Sequence, residues 1–117
     1  MDKKAVGKKG ENSAARYLKM KGYTVVEQNF SCRFGEIDII AENEDYIVFV
    51  EVKARNKNSI AAPREFVGSR KQSRIIVTAQ MYLSLHPSGK QPRFDVIEVN
   101  TDKIFFKINH IENAFGV

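Results

Sequence analysis

Residues 35–53, GEIDIIAENEDYIVFVEVK, decide the fold that this chain can adopt. Residues 36–42 and 46–53 have the composition of two β-strands, and the short polar segment between them predicts a hairpin turn. Because side chains alternate between the faces of a strand, both faces of the second strand are apolar up to residue 50, which predicts a strand covered on both sides. Glu51 and Lys53 then place charge on one of these apolar faces.

The length of the turn fixes which residues of the two strands face each other. If Glu44 and Asp45 form a two-residue loop, Asp38 lies opposite Glu51 with the two Cβ atoms about 5 Å apart. A three-residue loop would instead pair Asp38 with Val50 and send it to the other face of the sheet. We predict the two-residue loop, in which the two carboxylates share one site.

Two carboxylates in one site repel each other, and the usual remedy is a shared proton or a bound cation. Oxygen ligands of this kind suit Mg²⁺ or Mn²⁺, and the ammonium of Lys53 beside them can polarise a phosphate or lower the pKa of an attacking water. Asp38, Glu51 and Lys53 therefore describe a metal-assisted phosphodiesterase site. The alternative is an exposed hairpin end with solvated or paired surface charges; the apolar setting of Glu51 and Lys53 favours the site.

Length and composition are those of a globular protein. A chain of 117 residues has the usual size of one domain, so we expect a single domain spanning residues 1–117. No apolar run approaches the length of a membrane span, and no hydrophobic signal segment follows the first residues. Cys32 is the only cysteine, which excludes an intramolecular disulfide and fits a reducing compartment. We therefore expect a cytoplasmic protein without a membrane partner.

The formal net charge is +5, from 19 basic and 14 acidic residues, and the excess is localised. Between Val52 and Arg74 the only acid is Glu65, whereas the basic residues are Lys53, Arg55, Lys57, Arg64, Arg70, Lys71 and Arg74. A basic segment beside a carboxylate site suits an enzyme that cleaves a polyanion, because cations hold the phosphates. The alternative is a solvated basic loop and helix face without a partner.

The flanking segments predict the remaining elements. These are a helix over residues 4–21, a strand Tyr23–Phe30, a helix from Val67 or Ser69 to Leu85, strands Arg93–Asn100 and Ile104–Ile108, and a final helical turn Ile111–Phe115. The order helix, three strands, helix, two strands predicts an α/β domain with a mixed central sheet. Arg93 and Asp95 are expected to serve ion pairs or strand ends, and neither is placed in the catalytic set.

Several segments together resemble one family. Asp38 followed by Glu51-Val52-Lys53 resembles the Asp…Glu-x-Lys signature of the PD-(D/E)xK nuclease superfamily. More narrowly, GEID at residues 35–38 and VFVEVKAR at 48–55 resemble the YraN-like family of small bacterial proteins, which are similar to archaeal Holliday-junction resolvases. Further segments of the same pattern cover nearly the whole chain: Gly7-x-x-Gly10-Glu11-x-x-Ala14-x-x-x-Leu18, Lys71-x-x-Arg74-Ile75 with Ala79-x-x-Tyr82-Leu83, and Arg93-Phe94-Asp95-Val96.

The resemblance implies a restriction-endonuclease-like fold, in the order α-β-β-β-α-β-β, and a Mg²⁺- or Mn²⁺-dependent endonuclease that cuts DNA, including branched or junction DNA. It also implies that Glu11 and the carbonyl of Val52 complete a metal site with Asp38 and Glu51. Without the resemblance, Glu11 would be expected at the surface. In this interpretation the DNA backbone is held by Arg55, Lys57, Arg70, Lys71 and Arg74.

Other functions remain open at this point. A homodimer would place two sites on one junction. The rival to an enzyme is a nucleic-acid-binding module that retains the nuclease fold without cutting. A third interpretation is a protein-interaction domain with an incidental basic face, whose binding would be insensitive to salt.

Overall fold

Residues 3–55, 67–100 and 107–116 are the described part of this computed structural model, and they form two helices and five strands. In chain order these are α1 (Lys3–Met20), β1 (Thr24–Cys32), β2 (Gly35–Glu42), β3 (Tyr46–Arg55), α2 (Ser69–Leu85), β4 (Gln91–Asn100) and β5 (Lys107–Phe115). The predicted order α-β-β-β-α-β-β and the mixed α/β class are confirmed. In this part of the chain, neither helix is long and apolar enough to cross a membrane.

The five strands lie in one sheet in the same order as in the chain, β1-β2-β3-β4-β5. The pairs β1–β2, β2–β3 and β4–β5 are antiparallel, whereas β3 and β4 are parallel. A parallel pair needs a long crossover connection, and α2 lies in this connection. The predicted mixed sheet is therefore confirmed.

The β2–β3 hairpin has the register of the two-residue loop. Ile39 pairs with Val50, and the amide of Asn43 donates to the carbonyl of Tyr46 at 3.0 Å. The side-chain oxygen of Asn43 accepts hydrogen bonds from the amides of Asp45 and Tyr46, at 3.0 and 2.8 Å. An Asn side chain that binds the backbone two residues on stabilises a tight turn, and this contact explains why the loop stays short.

Both faces of the sheet carry a hydrophobic core. The cluster beneath α1 contains Ala14, Ala15, Leu18, Ile39, Ala41, Val48, Val50, Ile97 and Val99. The cluster beneath α2 contains Ile37, Ile40, Ile47, Phe49, Val67, Ile75, Ala79, Tyr82, Phe94 and Val96. Val48 and Phe49 of β3 are fully buried although they point to opposite faces, which confirms the prediction of a strand covered on both sides.

Close approach of α1 to the sheet depends on Gly10. A Cβ atom built on Gly10 would lie 3.1 Å from the Cβ of Ala54, closer than such atoms normally pack. The absence of a side chain therefore lets the first half of α1 lie directly on the end of β3. Gly7, one turn earlier, has no atom of the described residues within 4 Å of such a Cβ. Of the two glycines, Gly10 is thus the one that packing on the described sheet requires.

The predicted helical turn Ile111–Phe115 is wrong, because these residues belong to β5. Ile111 pairs with Val96 and Phe115 with Phe94, and the register shifts between these two pairs. Asn113 lies at the shift with φ of 52°, and its amide donates to the Asp95 carboxylate at 2.9 Å. Pairing with β4 overrides the weak helical pattern. Of the strand predicted over Ile104–Ile108, residues 104–106 lie outside the described residues.

A buried polar network joins β4 to β5, to α1 and to Tyr23, the residue before β1. Asp95 is fully buried and accepts hydrogen bonds from Arg93 Nε and Nη2, at 2.9 and 2.8 Å. His110 Nε2 lies 2.7 Å from Asp95 Oδ2, and its Nδ1 lies 3.1 Å from the Tyr17 hydroxyl. Arg93 also donates to the Tyr23 hydroxyl at 2.6 Å. Arg93 and Asp95 therefore form an ion pair, as the sequence predicts.

Candidate functional site

Asp38 lies where the pairing of β2 with β3 ends. The pairing runs from Glu42–Ile47 to Ile39–Val50, and beyond it the Oδ2 atom of Asp38 accepts a hydrogen bond from the Val52 amide at 2.8 Å. A side-chain oxygen thus takes the bond that a backbone carbonyl accepts in a regular ladder. This contact fixes the orientation of the carboxylate next to β3.

Asp38 and Glu51 line the same cavity, which has a volume of about 420 Å³. The other lining residues come from the start of β2 and from α2 with the residues before it: Gly35, Glu36, Gly68, Arg70, Lys71, Arg74 and Ile75. The register therefore brings the two predicted carboxylates to one site, as the two-residue loop requires. The cavity has three cationic side chains and three acidic ones around it.

Burial and the neighbouring charge of Glu51 raise the pKa of Asp38 from 3.8 to about 8. Glu11 and Glu36 act in the same direction, whereas the hydrogen bond from Val52 opposes them. A carboxyl with this pKa carries a proton near neutral pH unless a cation lies beside it. The site therefore favours either a proton or a cation next to Asp38.

Glu51 is buried and lies between two ammonium groups. Lys71 of α2 approaches its Oε1 atom at 2.8 Å, and Lys53 lies 4.0 Å from the same atom. Burial and the charge of Lys71 lower the pKa of Lys53. Burial opposes the charge on Lys71 itself, but its hydrogen bond with Glu51 and the charge of Glu51 prevail and raise its pKa. Lys71 is thus the closer of the two counter-ions of Glu51.

Glu11 of α1 interacts electrostatically with Glu36 and Glu51. Burial raises its pKa, as do the charges of Glu36 and Glu51, and a hydrogen bond with Asn29 opposes this. Its Oε1 atom is buried and has no hydrogen-bond partner among the described residues. A buried carboxylate oxygen without a partner is unfavourable, so Glu11 is not placed as an ordinary surface residue.

The site fits a hard divalent cation in the chemistry of its donors. Carboxylate oxygens suit Mg²⁺ and Mn²⁺, and both the unpartnered oxygen of Glu11 and the raised pKa of Asp38 would be relieved by a positive ion. In the described ranges, however, no three Asp, Glu, His or Cys side chains form a group that could hold a metal ion. The set Glu11, Asp38, Glu51 and the Val52 carbonyl therefore stays a prediction.

The cationic residues predicted to hold DNA are only partly described. Arg70, Lys71 and Arg74 line the cavity from the first half of α2. Arg55 is the last residue of β3, and Lys57 lies outside the described residues. The three residues of α2 therefore meet the carboxylates across one cavity.

Sequence reasoning missed two contributors to the site. Glu36 lines the cavity two residues before Asp38, and the alternation of a strand is the signal that would have indicated it. A Cβ atom on Gly35 would lie 3.2 Å from the Thr78 hydroxyl and 3.4 Å from the Arg74 Cβ. Gly35 therefore lets α2 pack against the start of β2. A single glycine at a strand entry gives no such signal.

The protein is of the mixed α/β class and has a carboxylate site where a β-hairpin meets a crossover helix. Two lysines, Lys53 and Lys71, lie beside Glu51 of this site. The model of the uncharacterised protein family UPF0102 matches residues 10–99. A UPF0102 protein of Caldanaerobacter subterraneus subsp. tengcongensis is 49% identical over 119 residues, which cover 98% of this chain and 98% of the relative. The chain belongs to the uncharacterised protein family UPF0102, in agreement with the predicted YraN-like family.

Further relatives have the same extent. A UPF0102 protein of Persephonella marina is 46% identical, with 95% of this chain and 93% of the relative covered. A UPF0102 protein of Clostridium perfringens is 44% identical, with 97% and 96% covered. The names of these relatives state no activity.

Proposed function

We propose that this protein is a metal-dependent endonuclease that hydrolyses phosphodiester bonds of DNA and accepts branched or junction DNA. The observation that carries the proposal is the convergence of Asp38 and Glu51 on one cavity with Lys71 and two arginines of α2. The ammonium of Lys53 lies 4.0 Å from the Oε1 atom of Glu51. The Asp…Glu-x-Lys signature of the PD-(D/E)xK nucleases, which the sequence resembles, has the same residue types in the same order.

The metal would be held by Glu11, Asp38, Glu51 and the carbonyl of Val52. When bound, Mg²⁺ or Mn²⁺ supplies electrostatic stabilisation of the negative charge that develops on the phosphoryl oxygens. The donor chemistry supports this choice, because all four groups offer hard oxygen atoms. The positive charge would also favour the ionised form of Asp38, whose pKa burial and Glu51 raise to about 8.

Lys53 is the residue suited to position the attacking water. Burial and the charge of Lys71 lower its pKa, so it gives up a proton more readily than an exposed lysine. Asp38 contributes a carboxylate whose orientation is already fixed by the Val52 amide. A preorganised polar group of this kind needs little rearrangement during the reaction.

The arginines of α2 are suited to hold the phosphates on either side of the cut. Arg70 and Arg74 are exposed at the cavity and lie one turn apart on the helix. Arg55 and Lys57 belong to the same proposed set. Contacts to phosphate carry no information about bases, so we expect cleavage with little sequence specificity. Preference for a junction would then come from DNA shape, and from a homodimer that spans two strands.

The test is cleavage of linear, flapped, gapped and four-way DNA by the purified protein with Mg²⁺ or Mn²⁺. Asp38→Asn and Glu51→Gln remove a charge while keeping the shape, and each should reduce cleavage by about 100-fold or more while DNA binding persists. Glu44→Gln is the matched control, because Glu44 is an exposed carboxylate in the turn at the other end of the hairpin. Cleavage by either site variant at the wild-type rate would refute the proposal.

A second candidate is a nucleic-acid-binding module that does not cut. The contact of 2.8 Å between Lys71 and Glu51 favours it, because an ammonium already neutralises one of the proposed metal ligands. In this case the wild type, Asp38→Asn and Glu51→Gln would bind DNA equally and none would cleave it. Binding would still weaken steeply with salt between about 50 and 200 mM, since phosphate contacts release counterions.

A further inference from the structure

A second groove lies beside the proposed active site. It has a volume of about 320 Å³ and is lined by Arg33, Phe34, Ser73, Arg74 and Val77. Arg74 also lines the cavity that contains Asp38 and Glu51, so the two spaces adjoin at this side chain. A ligand that spans both would pass directly over the Arg74 guanidinium.

The groove is formed by a rigid turn and one face of a helix. Cys32 pairs with Gly35, so Arg33 and Phe34 are the two residues of the β1–β2 turn. On α2, Ser73 and Arg74 precede Val77 by four and three residues, which puts all three on one face of the helix. The close approach that Gly35 allows brings this face against the turn. The strand pairing of β1 with β2 and the packing of α2 on Gly35 therefore position the two walls of the groove.

The chemistry of the groove combines a flat surface with positive charge. The Arg33 guanidinium lies 4.8 Å from the centroid of the Phe34 ring, which is a stacked cation–π arrangement. Val77 adds an apolar side chain that is 37% exposed. Both ionisable residues of the lining are arginines, and none of the five lining residues is acidic. A fitting ligand has a planar ring and an anionic group.

We propose that this groove binds one unpaired nucleotide of the DNA strand, adjacent to the phosphate that is cut. Its base stacks on the pair formed by Phe34 and Arg33, and its phosphate contacts Arg74 and the Ser73 hydroxyl. Aromatic rings and guanidinium planes are the usual platforms for unpaired bases. A base inside a duplex has both faces covered by its neighbours, so only an unpaired base can use this platform.

This proposal rests on the proposed function in one respect, because the position of the nucleotide is given relative to the bond that is cut. It assigns a substrate preference to the site: DNA with an unpaired nucleotide beside the cleaved bond, as at a flap or a branch point. Continuous duplex DNA would contact the arginines of α2 only. The preference would therefore come from base stacking and not from sequence.

Binding without metal tests the groove apart from cleavage. In EDTA, Phe34→Leu should weaken binding of single-stranded DNA by about tenfold and leave duplex binding within about twofold. Arg33→Ala should weaken single-strand binding more than Arg16→Ala, which removes an equal charge from an exposed position on α1. Thermal unfolding of each variant establishes that it is folded. Equal single-strand affinity of Phe34→Leu and the wild type would overturn the inference.

A direct readout is available because the chain contains no tryptophan. The single indole of Phe34→Trp should lose fluorescence when single-stranded DNA stacks on it and change little with duplex DNA. The same response to both forms of DNA would overturn the inference. If the wild type cleaves DNA but these variants bind normally, the proposed function stands and the groove does not. If nothing is cleaved while the single-strand effects are seen, the groove stands and the nuclease does not.

Discussion

Asp38 has an environment that disfavours its charge in the folded protein. It is hydrogen-bonded to the Val52 amide, yet burial and the charge of Glu51 raise its pKa to about 8. The unfolded chain has no such environment, and there an Asp titrates near pH 4. Between these two values the folded protein holds a proton that the unfolded chain has lost, so the free energy of unfolding falls as pH rises from about 4 to about 8.

Asp38→Asn should remove this loss of stability. The amide is neutral at all pH values and its oxygen can still accept the bond from Val52, so the variant should be more stable than the wild type at pH 9, on the order of 2 kcal/mol. Below pH 4 the difference should vanish. Urea unfolding at several pH values measures both.

A divalent ion should restore to the wild type the stability that it loses at high pH. Saturating Mg²⁺ would stabilise the ionised Asp38 and raise the free energy of unfolding at pH 9, because it binds the folded state. Asp38→Asn should respond much less. A wild-type protein whose stability at pH 9 is unchanged by Mg²⁺ would contradict the proposed metal site.

The packing of one helix on the sheet can be tested at Gly10, because a side chain there would press on Ala54. Gly10→Ala should shift α1 and destabilise the protein by about 1 kcal/mol or more, in spite of the better helix propensity of Ala. If Glu11 contributes to the site, cleavage should also fall. Thermal unfolding and the DNA cleavage assay measure the two effects.

Gly7→Ala is the matched control on the same helix. A Cβ atom at Gly7 meets no atom of the described part of the chain within 4 Å, so the substitution should stabilise α1 by about 0.5–1 kcal/mol. Equal effects of the two substitutions would mean that α1 does not depend on close contact with β3.

Elements with strong local signals could be predicted from the sequence, and those set by distant contacts could not. The β2–β3 register followed from the polar turn and the alternating apolar residues, and α2 followed from its helical spacing. The second half of the last strand, residues 111–115, was missed because it is held by the pairing with β4 and by the bond from Asn113 to Asp95. The partner of Lys71 was missed because the rotation of α2 about its axis is set by packing, including the contact at Gly35.

Asp95 is the centre of a network that spans the molecule, because its partners His110 and Arg93 in turn contact Tyr17 of α1 and Tyr23. Hydrogen bonds from His110, Arg93 and the Asn113 amide outweigh its burial and lower the pKa of Asp95. Asp95→Asn should destabilise the protein by about 3 kcal/mol or more, because Arg93 loses the buried carboxylate that pairs with it. Chemical denaturation near pH 7 measures this loss.

The pH dependence of Asp95 has the opposite sign to that of Asp38. A lowered pKa contributes stability that is present above about pH 4 and is lost as pH falls further, so Asp95→Asn and the wild type should converge in acid. Glu112→Gln is the control, since Glu112 also contacts Arg93 but its side chain is 61% exposed. If Glu112→Gln lost as much stability as Asp95→Asn, burial of the Asp95 carboxylate would not be the cause of the large loss.

The order of strands in the sheet has a consequence for how the molecule is made. Three of the four strand pairings join neighbours through hairpins or short connections, whereas β3 and β4 must close a long crossover before they pair. Closing long loops before contacts form slows folding, so this step is expected to limit the rate. Glu51 lies on β3, before that crossover, and Lys71 lies on α2, within it. A nascent chain should therefore lack an assembled site until β4 has left the ribosome.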